Sequence, residues 1–155
     1  MMPFFQRMEA SGVATAIAQS VWLTGGLSAV HLVGFTLLMG AALVSNLRLL
    51  GVLFPERPAL DVARSVDRGV AVGLGISAAT GVLLFAARAS AAAGSGLFQL
   101  KMTLLVAAAA FHIGVHGPVL RRETAGTGAL RATGAVGLVL WLAVALAGCA
   151  YILLE

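Results

Sequence analysis

Apolar and charged positions are segregated along this chain into long blocks. Four stretches carry no charge: Ser11–Leu47, Gly69–Ala87, Met102–Leu120 and Ala132–Leu154. About 20 apolar residues in a helix cross a bilayer core, so each of the last three stretches fits one crossing. The first is too long for one crossing and divides. Residues 4–18 set Phe4, Phe5, Met8, Val13 and Ile17 among polar or small residues, the spacing of a short amphipathic helix lying in the interface; a frayed tail is the alternative. Trp22 then marks the interface itself. Backbone polar groups in lipid must be satisfied internally, which makes the spans helices at about 20–50, 66–87, 97–120 and 130–153.

The first span is longer than the bilayer requires. At 1.5 Å per residue it measures roughly 45 Å against a core of ~30 Å, so its far end, Asn46–Leu50, is expected to project from the membrane. Pro55 and Pro58 break the chain, and Leu60–Arg68 reads as a short lead-in to the second span. Ser90–Gly96 reads as a short loop, and Thr124–Gly128 as a turn-prone linker. Gly117-Pro118 loosens or ends the third span. The expected fold is one all-α domain over residues 1–155, a four-helix transmembrane bundle with the short amphipathic helix at its N-terminus.

Composition narrows the class. Of the 155 residues 60% are hydrophobic and 10% charged, where a soluble domain carries roughly 25% charged residues. The net charge of +4 raises the question of nucleic acid, and the distribution answers it. Arg48, Arg57, Arg64, Arg68, Arg121, Arg122 and Arg131 lie in the loops after the first and third spans. Only Arg7, Arg88 and Lys101 belong to the other side. This positive-inside bias places the basic loops in the cytoplasm and both termini outside. The arginines mark topology, and nucleic-acid binding is excluded. Cys149 is the single cysteine, a small packing residue that allows no intramolecular disulfide. No basic segment runs straight into the first apolar stretch, so a cleaved signal peptide is not expected.

The three histidines, His31, His112 and His116, all fall inside predicted spans, where a polar side chain is costly and normally has a partner. His112 and His116 are four apart and share one helix face. Measured from Trp22, His31 lies roughly 13 Å deep; measured from Lys101, His112 lies roughly 16 Å deep. Measured instead from Arg48 and Arg121, the two mismatch by about 12 Å. The outer anchors are preferred because the first span must overshoot somewhere. On that basis His31 and His112 can ligate one haem iron axially, with His116 as a tuning residue or the alternative ligand. Gly34 and Gly114 leave room beside the ligands. The second span carries Gly69, Gly73, Ser77 and Gly81 at four-residue spacing, a flat stripe for helix packing or for the face of a cofactor, with Gly73 and Ser77 at its centre. Met39 and Met102 read as packing. No carboxylate or cation sits near the midplane, and no catalytic triad, cysteine cluster or phosphate loop is visible, so an enzyme active site within this chain is not expected.

Phe4-Phe5-x-x-Met-Glu-Ala-Ser, His31-Leu-Val-Gly-Phe, Asn46-Leu-Arg-Leu-Leu-Gly51, Thr80-Gly-Val-Leu-Leu-Phe85 and Phe98-x-x-Lys101 resemble an uncharacterised family of four-helix bacterial inner-membrane proteins. That family is similar to the membrane domain of copper-resistance protein D and, more remotely, to cytochrome b561-type bundles. The resemblance covers about residues 4–120. His31 matches the histidine of the family's first helix, and position 46, usually Asp there, is Asn here. The resemblance implies a bacterial inner-membrane protein of redox or copper biology. The roles of His112 and His116 rest on depth alone.

Together these readings predict a non-catalytic, b-type cytochrome-like electron-transfer subunit. It would hold haem b between His31 and His112 and link the quinone pool to membrane or periplasmic redox subunits on the outer side. Two alternatives stay open: a structural or assembly subunit with hydrogen-bonded histidines, and a copper-handling protein using the histidines with Met39 or Met102.

Overall fold

A computed structural model of the protein describes residues 2–122 and 126–154. Among these the chain is helical, with no strand: α1 (Met2–Glu9), α2 (Gly12–Gln19), α3 (Val21–Leu50), α4 (Ala59–Ala86), α5 (Ala89–Gly94), α6 (Gly96–Phe111), a π-helical turn (His112–His116), α7 (Gly117–Leu120) and α8 (Thr127–Leu154). Four spans are long and apolar enough to cross a membrane: α3, α4, α6 continued through α7, and α8. Val33, Val106, Val139 and Leu146 stand exposed on their flanks, as suits side chains that face lipid rather than water. The architecture is that of a multi-pass membrane protein.

Local chemistry sets the helix ends. Ser11, Ser20 and Ser95 each precede a helix, and their hydroxyls accept the backbone N–H of Ala14, Leu23 and Phe98, satisfying donors that the first turn leaves free. Gly51 ends α3 with φ +81°, a left-handed conformation that glycine adopts without penalty. Arg48 then bonds the carbonyls of Pro55 and Arg57. Its guanidinium therefore clamps the loop between α3 and α4 as well as adding to the basic end. Two segments differ from the sequence reading. Leu60–Arg68 is the continuous start of α4, since Pro58 at the N-cap suits a helix entry and nothing after it interrupts the turn. Most of Ser90–Gly96 is α5, an Ala-rich stretch with high helix propensity. Within the linker expected at Thr124–Gly128, residues 124 and 125 lie outside the described residues.

α3 is the central element. It packs along α4 and α8, and α8 packs along α6. The α3–α4 seam is built from small residues. A Cβ added at Gly73 would lie 2.5 Å from the backbone nitrogen of Leu38, and one at Gly34 would lie 2.6 Å from Ile76 Cγ2. The α3–α8 seam works the same way: a Cβ at Gly134 would meet Leu49 Cβ at 2.7 Å, and one at Gly137 would overlap the Asn46 amide. Leu38, Ala42, Val70, Ala108, Trp141 and Val144 fill the centre. α4 and α6 make no comparable contact. They meet at the stacked rings of Phe85 and Phe98, 5.2 Å apart, and leave a cleft toward the arginine-rich end.

The other end is capped by α1, α2 and α5. Residues 4–18 form two helices, broken at Ala10–Ser11, with Ala14 and Ile17 buried. Glu9 fastens the cap: its carboxylate accepts the backbone N–H of Ser90 at 2.7 Å and the Ser90 hydroxyl at 2.9 Å. Charge-assisted bonds of this kind contribute about 1.5–3 kcal/mol when buried and less in water. Glu9→Ala is therefore expected to loosen α1 without unfolding the bundle. Hydrogen exchange would show faster exchange confined to α1 and α5, and unchanged protection there would refute the clamp.

Candidate functional site

His31 is half-buried on α3, with its Nδ1 3.0 Å from the Thr80 hydroxyl of α4. The built Cβ of Gly81 would stand 3.2 Å from the imidazole Cε1, so a bare turn of α4 receives the ring. The glycine stripe of α4 thus faces α3. Gly73 and Ser77, expected as a cofactor wall or a packing stripe, lie in the α3–α4 seam, where Gly34 also lies; no space remains beside them for a planar group.

His112 and His116 occupy the π-helical turn. Gly117 N–H reaches back five residues to the His112 carbonyl, which widens the turn just ahead of Pro118. Proline lacks the N–H that would bond the carbonyl four residues earlier, and its ring crowds that carbonyl; one extra residue in the turn relieves the clash. Such turns recur at functional sites. The two imidazoles stack with centroids 4.6 Å apart and planes at 23°. His116 is buried, 2% exposed, with Nε2 3.2 Å from Ser45 Oγ of α3. His112 meets the edge of Trp141 on α8 at 6.3 Å, and its buried Nδ1 has no hydrogen-bond partner among the described residues.

These contacts fix depth. His116 stands level with Ser45, fourteen residues beyond His31 on α3, or about 21 Å along the axis. His112 is one turn closer, which still leaves about 15 Å. The structure does not bring His31 and His112 together, and the pair does not fit one haem iron between them. The reason lies in the anchor. Lys101, paired with Trp22 by depth in the sequence, rests against Gly148 of α8 and lies fifteen residues before His116 on its own span, about 22 Å along the axis. It is level with His31, well below Trp22. Among the described residues no group of three or more His, Cys, Asp or Glu side chains converges as a metal site. Met39 lines an apolar groove between α3 and α8, and Met102 is exposed, so neither joins a histidine.

What the fold does assemble is a cleft of about 330 Å³ at the arginine end. The first turns of α4 supply Leu60, Ala63, Arg64 and Asp67; the third span supplies His112, His116, Leu120 and Arg121. Asp67 and His112 line the same opening. Two stacked imidazoles, one carboxylate and two guanidiniums therefore share one opening. That set can donate and accept hydrogen bonds and pass protons.

The profile of a family of unknown function, DUF6644, matches residues 4–153. The chain belongs to that family. The match runs from α1 through α8, so the DUF6644 unit includes both the capping helices and the last span. Curated proteins and solved structures give no match to the chain. Within this DUF6644 protein, Ser45, Asp67, Arg64 and Trp141 are site residues that the sequence did not single out. Ser45 and Trp141 lie in uninterrupted apolar runs, and the arginines read equally well as topology. The one available signal was Gly117-Pro118 immediately after a pair of histidines.

Proposed function

We propose that this DUF6644 protein is an accessory subunit of the bacterial inner membrane, with both termini outside, that holds the headgroup of a quinone-type carrier in the cleft between α4 and the π-helical turn. The carrying observation is the His112–His116 stack, set in a widened turn and facing a polar opening with Asp67, Arg64 and Arg121. A quinone ring presents carbonyl acceptors that become hydroxyls on reduction, so its site needs groups that donate and then accept. Neutral imidazoles do both. The arginine-rich end supports a cytoplasmic opening, and α1 with α2 then lies at the outer interface. Electrons pass to or from a partner redox subunit, while this chain positions the ring and exchanges its protons.

Trp141 provides the readout, because it touches His112. In a Trp22→Phe background it is the sole tryptophan, since the chain has two. A short-tailed benzoquinone is expected to quench its fluorescence saturably in nanodiscs. His112→Ala is expected to raise the Kd about tenfold, roughly 1.4 kcal/mol. Quenching that does not saturate, or an unchanged Kd in His112→Ala, refutes the site. A second reading, an assembly subunit, is favoured by the apolar groove of about 350 Å³ along α3 and α8, floored by Gly40 and Trp141. Copurification of a stoichiometric membrane partner, with quinone affinity absent, would decide for it.

A further inference from the structure

The cleft between α4 and the third span holds more positive than negative charge. Leu60, Arg64 and Asp67 recur at three- and four-residue spacing, so one face of α4 supplies one wall. Arg121, which closes α7, stands on the other wall with His112 and His116. Asp67 can neutralise one guanidinium and leaves the second without a counter-charge in the opening. Any charge on the imidazoles adds to the excess. The rest of this end does not correct it: residues 48–68 and 121–131 carry seven arginines against four carboxylates. Arg48 is committed to the carbonyls of Pro55 and Arg57, and Arg57 lies over the Phe54 ring. Arg64 and Arg121 are the two guanidiniums that border the cleft.

A guanidinium presents its N–H donors in a planar fork, and the bond is stronger to an oxyanion than to a neutral carbonyl. Volume sets how much of a ligand is held. At about 330 Å³ the cleft is at the small end of ligand pockets, which run ~300–1,000 Å³. It takes a ring head and leaves a long tail outside. The group that the arginines recognise is therefore on the ring.

On the quinone reading of this cleft, from which the inference starts, we propose that the site prefers rings that enter as oxyanions. The class is that of hydroxy-substituted quinones, ionised at neutral pH. The ring oxyanion lies between Arg64 and Arg121, with its carbonyls toward the imidazoles. The ligand arrives already ionised, so no bond forms or breaks on binding. Arg64 and Arg121 determine specificity, and Asp67 opposes them. All three are exposed, so each charge counts for about threefold in affinity, far less than in a buried pair.

The test compares a hydroxynaphthoquinone, ionised at neutral pH, with its methyl ether, which keeps the rings and has no acidic proton. Both are titrated into the full chain in nanodiscs of zwitterionic lipid at low salt, where screening is weak. Trp141 quenching in the Trp22→Phe background is the readout. Partition into lipid differs between the two rings but is common to all variants, so the ratio of the two Kd values is compared across variants. Arg64→Gln and Arg121→Gln are each expected to cut the preference for the hydroxy ring about threefold, and together about ninefold. Asp67→Asn is expected to raise it about threefold. Arg64→Lys keeps the charge and is expected to keep most of the preference, which separates lost charge from a damaged fold. Arg57→Gln, at the same end but outside the cleft, is expected to change nothing. Saturable quenching with a ratio that the cleft variants leave unchanged overturns the proposal while the quinone site stands. A fall in Arg57→Gln as large as in Arg64→Gln does the same. If neither ring quenches saturably, the quinone site itself falls, and the proposal with it.

Discussion

Gly73→Val is expected to destabilise the protein by about 3 kcal/mol, the upper range for overpacking a close-packed interior. The added methyls would press on α3 backbone rather than on a side chain that can swing aside: a Cβ at this position already lies 2.5 Å from Leu38 N, 2.7 Å from Gly34 O and 2.9 Å from Leu38 Cα. Relief requires α3 and α4 to separate along the seam that buries Leu38, Ala41 and Val70. Gly75→Val is the control. It lies on the same helix, two residues on, with nothing within 4 Å of the built Cβ. Its expected effect is within about 0.5 kcal/mol. Both variants change helix propensity alike, so the difference isolates the packing. Thermal midpoints in detergent decide it: equal midpoints would show that the stripe is not a packing surface.

That contrast also marks what could be read from the chain. The four spans were legible because charge is excluded from lipid so strongly that its absence alone outlines them. The stripe at Gly69, Gly73, Ser77 and Gly81 was legible as a flat face, but not its occupant. Which backbone approaches a small residue depends on another helix, and here α3 brings Gly34 to the same place. Depth was the weakest step. Lys101 has a long stem that snorkels in many proteins, and the sequence offers no sign that Gly148 gives that stem a resting place inside the bundle. Measured from Arg48 and Arg121, the histidines were about 12 Å out of register, close to the separation that the Ser45–His116 contact implies. α3 runs unbroken for 30 residues, Val21–Leu50, and that length does not bring His31 down to His112.

The Ser45–His116 contact is the second point where a large effect is expected. His116→Ala removes a side chain that is 2% exposed and deprives Ser45 of its ring partner. The lost packing, the cavity and the unpaired hydroxyl together should cost about 3 kcal/mol. Ser45→Ala leaves the ring in place and removes one hydrogen bond, for about 1 kcal/mol. In the double variant the two costs should fall short of their sum by roughly 1 kcal/mol, because the same bond is removed twice. His112→Ala should behave differently. Its ring is only half-buried and lines the cleft, so quinone affinity should fall more than stability. Ser45→Ala should sit between them, with the stack slightly freed and a Kd raised two- to threefold. Denaturation midpoints and Trp141 quenching on the four proteins separate these cases. Additive costs for Ser45 and His116, or a His112 variant that loses stability and keeps its affinity, would mean that the histidines serve only to pack the π-helical turn.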